Sequence, residues 1–176
     1  MIAHERFAAS SRLLHWLMAV LVIAMLFIGV GMVSTVSERY ALLVSIHKPL
    51  GIAILALVVI RLVNRLFNRP PPFPASLPPI QRLAAQTSHW ALYALMFAMP
   101  LVGWGMLSAG GYPVVLYGSL QLPPILPQSA SVYALLRQAH TLLAYLLFAT
   151  VLVHLAAALF HGLIRRDGVL ESMASK

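Results

Sequence analysis

Four long apolar stretches set the terms for this chain: residues 13–33, 41–66, 84–107 and 133–164. About 20 such residues cross the hydrocarbon core of a bilayer as a helix. In lipid every backbone N–H and C=O needs a partner within the protein, so only helices and closed barrels span. The short alternating strands of a barrel are not visible. The sequence therefore predicts an all-α integral membrane protein, a bundle of four transmembrane helices, forming one domain over residues 1–176. Composition agrees. The chain is 61% hydrophobic and 9% charged, against about 25% charged in soluble domains. The first stretch is too long for the apolar region of a signal peptide and no A-x-A site follows it, so it reads as a retained helix.

Absences narrow the chemistry. Cysteine is missing, which excludes disulfides, thiolate zinc sites, iron–sulfur clusters and covalent c-type haem attachment. The four acidic residues, Glu5, Glu38, Asp167 and Glu171, all lie outside the apolar runs. A carboxylate proton relay through the membrane and a paired-carboxylate hydrolase are both disfavoured. The net charge is +8, but the cations sit at the ends of the runs rather than in one soluble patch, so nucleic acid is not the partner. They report topology instead. The N-terminus, the second connection and the C-terminus with their flanks hold Arg6, Arg12, Arg61, Arg65, Arg69, Arg82, Arg165, Arg166 and Lys176. The first and third connections hold Arg39, Lys48 and Arg137. Nine against three predicts that both termini are cytoplasmic.

The connections differ. Residues 34–40 form a short polar turn. "NRPPPFPASLPPIQR" (68–82) is proline-rich and expected to be extended. Residues 108–131 carry no charge and are too broken by Gly and Pro to span, so they should lie over the membrane surface or fold onto the bundle.

Histidines interrupt the apolar runs at set depths. His47 and His140 fall near the outer ends of helices 2 and 4, and His15 and His154 toward the inner ends of helices 1 and 4. His140 and His154 are fourteen residues apart, almost four full turns, so they share a face about 21 Å apart along the axis. A single histidine in such a helix is commonly a packing residue with one hydrogen bond to a neighbour. Two at each of two depths point further, to one iron held between each pair, since imidazole is a good axial haem ligand. A zinc or copper site would need three or four ligands at one point. Four residues beyond these histidines stand Ala19, Gly51, Ala144 and Ala158, all small; position i+4 shares a helix face, so each leaves room for a bulky group. Gly29 lies fourteen residues beyond His15, and Arg61 fourteen beyond His47. Arg61 is thus placed for a haem propionate. The spacing predicts two haems, one above the other, as an electron path across the membrane.

These stretches carry a resemblance. "RLLHW", "SIHKPLGIAILALVVIRLVNR", "HWALYALMFAMPLVGW", "GYPVVLYGSLQLPPIL" and "RQAHTLLAYLLFATVLVHLAAALFH" resemble, in order and over nearly the whole chain, the bacterial cytochrome b561 family. The resemblance implies a four-helix bundle of the inner membrane, two b haems with bis-histidine ligation, and electron exchange with quinone. Its ligands fall on His15, His47, His140 and His154. Some members are similar to superoxide oxidases, which pass an electron from periplasmic superoxide to ubiquinone. The broader fold resembles cytochrome b subunits that anchor a partner dehydrogenase.

Two functions follow as expectations. In the first, the chain is itself a redox enzyme, taking electrons from a small anionic periplasmic donor, with Lys48 and Arg137 beside the outer haem to attract it. His161 and His89, near the inner surface and not needed as ligands, become the candidates for contact with ubiquinone. In the second, the chain anchors a dehydrogenase, but it has little soluble mass for docking. A transporter is disfavoured by the lack of intramembrane carboxylates and of an internal repeat.

Overall fold

The computed structural model describes residues 6–74 and 77–174. His4, Glu5 and Lys176, the last counted among the inner cations, lie outside them. Among the described residues there are four α-helices: α1 Ala9–Ser34, α2 Arg39–Phe67, α3 Pro79–Ala109 and α4 Ala130–Leu159. A hairpin, β1 Val114–Tyr117 and β2 Leu120–Leu122, joins α3 to α4. All four helices are long and apolar enough to cross a membrane, so the protein is a four-span membrane bundle.

Each helix begins ahead of its apolar stretch. α1 starts at Ala9 rather than at residue 13, and α3 at Pro79 rather than at 84. Hydropathy marks where the chain lies in hydrocarbon, whereas a helix continues until a cap or breaker ends it. α4 begins at such a cap, where the Ser129 hydroxyl accepts from the Val132 N–H at 3.4 Å, satisfying one free donor of the first turn. The proline-rich segment, expected to be extended to residue 82, is helical from Pro79. Proline suits the first helical position because its missing N–H would have had no partner there. Pro49 and Pro100 sit inside α2 and α3, where membrane helices tolerate them.

α1 packs closely along α2, and α3 along α4; α2 meets α3 more loosely, and neither α1 nor α2 makes an extended close approach to α4. The bundle is thus two helical hairpins facing each other. They share one apolar storey, formed by Met18 and Val22, Ile54 and Val58, Tyr93 and Met96, and Leu147. Leu147 lies midway between His140 and His154 in sequence, so this storey divides the bundle at half depth. Most other large apolar side chains, such as Phe27, Leu142 and Tyr145, point outward, as helices solvated by lipid require.

The uncharged segment 108–131 folds onto one end of the bundle. Gly118 takes the positive φ of 54° that a tight hairpin turn requires. Lys48 Nζ donates to the Pro113 carbonyl at 3.2 Å, Trp104 Nε1 to the Pro123 carbonyl at 3.0 Å, and Ile125 N–H to the Ser108 hydroxyl at 3.1 Å. At the opposite end α4 widens into a π-helical turn, Phe160–Arg165. The chain then folds back. Phe7 N–H donates to the Ser172 carbonyl at 3.2 Å and Trp16 Nε1 to the Met173 carbonyl at 2.9 Å. A side chain at Gly162 would overlap Leu170. Both terminal segments therefore meet at one end of the bundle, opposite the β-hairpin.

Candidate functional site

Two pairs of histidine rings bridge the helical hairpins. At the β-hairpin end, His47 of α2 and His140 of α4 have ring centroids 6.2 Å apart and planes inclined at 69°. At the terminal end, His15 of α1 and His154 of α4 are 6.3 Å apart, also at 69°. Two metal–imidazole bonds of about 2 Å, plus about 1 Å from each nitrogen to its ring centre, give a similar spacing of about 6 Å. The rings therefore fit one metal between each pair. Nδ1 of both His47 and His140 is buried without a hydrogen-bond partner. Such an orphan is costly; no protein hydrogen bond ties either ring through Nδ1, and a neutral imidazole can ligate a metal through either ring nitrogen. No group of three or more His, Asp or Glu able to hold a metal ion occurs among the described residues.

The surroundings of the two pairs differ. Gly103 of α3 lies against His140: a Cβ there would stand 3.1 Å from Cε1 and 3.5 Å from Nδ1. A Cβ on Gly29 would meet nothing within 4 Å, and one on Gly51 only Met25 Cε at 3.8 Å, so the two glycines read from the sequence leave open space. The terminal-end pair has company instead. His89 of α3 lies 5.5 Å from His154, at 62°, making three rings in this layer. Arg61 is at the expected depth and donates from Nη2 to His15 Nδ1 at 3.0 Å. Its guanidinium also lies 5.4 Å from the centroid of Tyr93, while Arg65 lies 5.6 Å from that of Trp90.

His161 stands two turns beyond His154 and pairs with Asp167, Nδ1 to Oδ2 at 2.7 Å. Lys48 and Arg137 are both at the β-hairpin end but border separate depressions. Lys48 lines a cleft of about 500 Å³ with Tyr40, Ser45 and Tyr117. Arg137 lines a groove of about 620 Å³ on α4 with Tyr133, Gln138 and Tyr145. Three participants escaped sequence reasoning: Gly103, Tyr93 and Asp167. A glycine in an apolar helix is a signal for close approach, and an acid just past a histidine-bearing helix is one for pairing. Tyr93 gave no signal.

The sequence profile of the prokaryotic cytochrome b561 family matches residues 6–176. Cytochrome b561 homolog 2 of Escherichia coli (strain K12) is 33% identical over 98% of this chain and 93% of its own length. The probable superoxide oxidase CybB of Yersinia pestis is 29% identical over 98% of both chains. The chain belongs to the prokaryotic cytochrome b561 family, multi-pass proteins of the bacterial inner membrane that bind b-type haem and transfer electrons.

Proposed function

We propose that the protein passes single electrons from superoxide, at the β-hairpin end, to ubiquinone at the terminal end. Two b haems would be held by His47 with His140 and by His15 with His154. The observation that carries this reading is the repeated geometry: pairs at 6.2 and 6.3 Å, both inclined at 69°, on either side of one apolar storey. When bound, b haem supplies a one-electron centre at each depth.

The chain's own residues do the rest. An imidazole that binds iron through Nε2 keeps its hydrogen on Nδ1. With such a ligand at His15, its Nδ1 would no longer accept from Arg61, and the Arg61 guanidinium would be free to hold a haem propionate. His89 lies in the same layer, and His161 beyond it, to contact quinone. Two superoxide anions give up one electron each and leave as dioxygen; ubiquinone takes two electrons and two protons. The excess of Lys and Arg at the terminal end supports cytoplasmic termini and a periplasmic β-hairpin. Lys48 and Arg137 then present positive charge to the periplasm. The Yersinia relative, of matching length, is named for superoxide, and this favours a self-contained enzyme over a dehydrogenase anchor.

Pyridine haemochrome analysis is expected to give two haem b per chain. In stopped flow, a superoxide pulse should reduce the haems, and ubiquinone should reoxidise them. Reduction should slow as salt rises, because attraction at the surface is screened beyond about 10 Å at 0.1 M. Replacing Lys48 and Arg137 together by Gln should slow it at least about threefold, with both haem spectra unchanged. No reduction by superoxide, with prompt reduction by a co-purified dehydrogenase, would overturn the proposal in favour of the anchoring role.

A further inference from the structure

We infer that Asp167 is a positioning residue that holds His161 as the proton donor to quinone; this rests on the quinone-reducing role proposed above. The chain has four acidic residues, and Asp167 is drawn in against a histidine. Its side chain is 10% exposed and that of His161 15%. A carboxylate oxygen can only accept, so His161 Nδ1 donates at 2.7 Å, and the tautomer is fixed with Nε2 left for a ligand. Arg165 Nε sits 3.2 Å from the same Oδ2. Arg165 Nη1 reaches across to Gln81 Oε1 of α3 at 2.6 Å, and the Val169 N–H donates to Oδ1 at 3.4 Å.

The backbone is distorted to make this pair. The helix widens to π over Phe160–Arg165, Arg166 N–H closes on the His161 carbonyl at 2.7 Å, and Arg166 adopts a left-handed φ of 50°. That conformation is uncommon for a residue other than glycine. A left-handed residue is itself a common way to end a helix; the π-turn over Phe160–Arg165 is the rarer feature. π-turns and strained residues concentrate at functional sites, and here they bring a carboxylate back onto the imidazole six residues before it.

The chemistry balances. Each quinone that accepts two electrons needs two protons. With both ring nitrogens protonated, His161 gives its Nε2 proton to a quinone oxygen. The Nδ1–H stays on His161, donated to Asp167, whose negative charge faces the imidazolium before transfer. Water at the terminal end reprotonates Nε2, and a second cycle completes the quinol.

The test uses the haem-loaded full chain, reduced with dithionite and mixed either with a short-chain ubiquinone or with ferricyanide, which takes an electron and no proton. Asp167→Asn is expected to slow oxidation by ubiquinone at least about tenfold while ferricyanide oxidises it at the wild-type rate. Asp167→Glu should recover most of the ubiquinone rate. The double variant Asp167→Asn with His161→Gln should be no slower than His161→Gln alone, as for residues that act as one unit. Asp167→Ser asks the same question should the Asn variant not accumulate with haem. Equal slowing with both acceptors, no slowing with either, or loss of haem from both neutral variants would overturn the inference and leave Asp167 a helix-end residue. A wild-type protein oxidised by ferricyanide but never by ubiquinone would instead remove the quinone role itself.

Discussion

His140→Ala is expected to halve the haem content, from two per chain to one, and to remove the centre at the β-hairpin end. His47→Ala should do the same, and His15→Ala or His154→Ala should remove the other centre. The separation follows from the depths on α4: fourteen residues put the two layers about 21 Å apart, with the storey around Leu147 between them. Losing one imidazole leaves its partner with a buried nitrogen unpaired, which costs about 1–3 kcal/mol, and leaves iron with a single protein ligand. Reduced-minus-oxidised spectra with pyridine haemochrome quantitation would resolve the two losses. His89→Ala is the discriminating variant, because its ring approaches His154 more closely than His15 does, 5.5 against 6.3 Å. It should retain both haems. Loss of the terminal-end haem in that variant would transfer the ligand role from His15 to His89.

Gly103→Val should be nearly as damaging as His140→Ala, although position 103 offers no ligand. A Cβ at 103 would stand 3.1 Å from His140 Cε1, already a tight contact. The neighbouring ring can yield a few tenths of an ångström, so Gly103→Ala should keep its haem. Valine's two further methyls cannot be fitted without turning the ring away, and close-packed interiors offer no slack for that. The expected readout is a selective loss of the β-hairpin-end absorption with the other centre intact. Gly31→Val serves as control. A Cβ there would meet Leu43 Cδ1 at 3.0 Å, the end of a flexible apolar side chain, so this variant should lower thermal stability and spare both spectra.

The spans and the layering were legible in the sequence for a common reason. Lipid imposes one strong rule on the backbone, and helical rise converts position along a run into depth, so His15, His47, His140 and His154 sort into two layers by where they fall in the four apolar runs. What escaped depends on contacts between segments far apart in the chain. Gly103 faces His140 from another helix. His161 finds Asp167 only because the backbone departs from α-helical geometry, and no periodic reading anticipates a π-turn. The third ring of the terminal-end layer escaped for a related reason. His89 could be placed at the right depth, but its approach to His154 depends on how α3 is rotated against α4. Lys48 and Arg137 were both read as flanking one site; they share an end of the bundle, yet α2 and α4 turn them toward different depressions.

The pairing of α1 with α2 and of α3 with α4, with neither α1 nor α2 closing on α4, has a consequence for how cells make this protein. No hydrophobic force draws helices together inside a bilayer; packing and polar contacts must do it. A newly inserted chain consists of two helical hairpins joined chiefly by a storey of seven side chains. A cofactor that binds only the assembled form stabilises it by mass action. Cells starved of iron would then hold the chain as a loosely joined precursor, exposed to membrane proteases. Its abundance would follow iron nutrition even while its transcript stays constant.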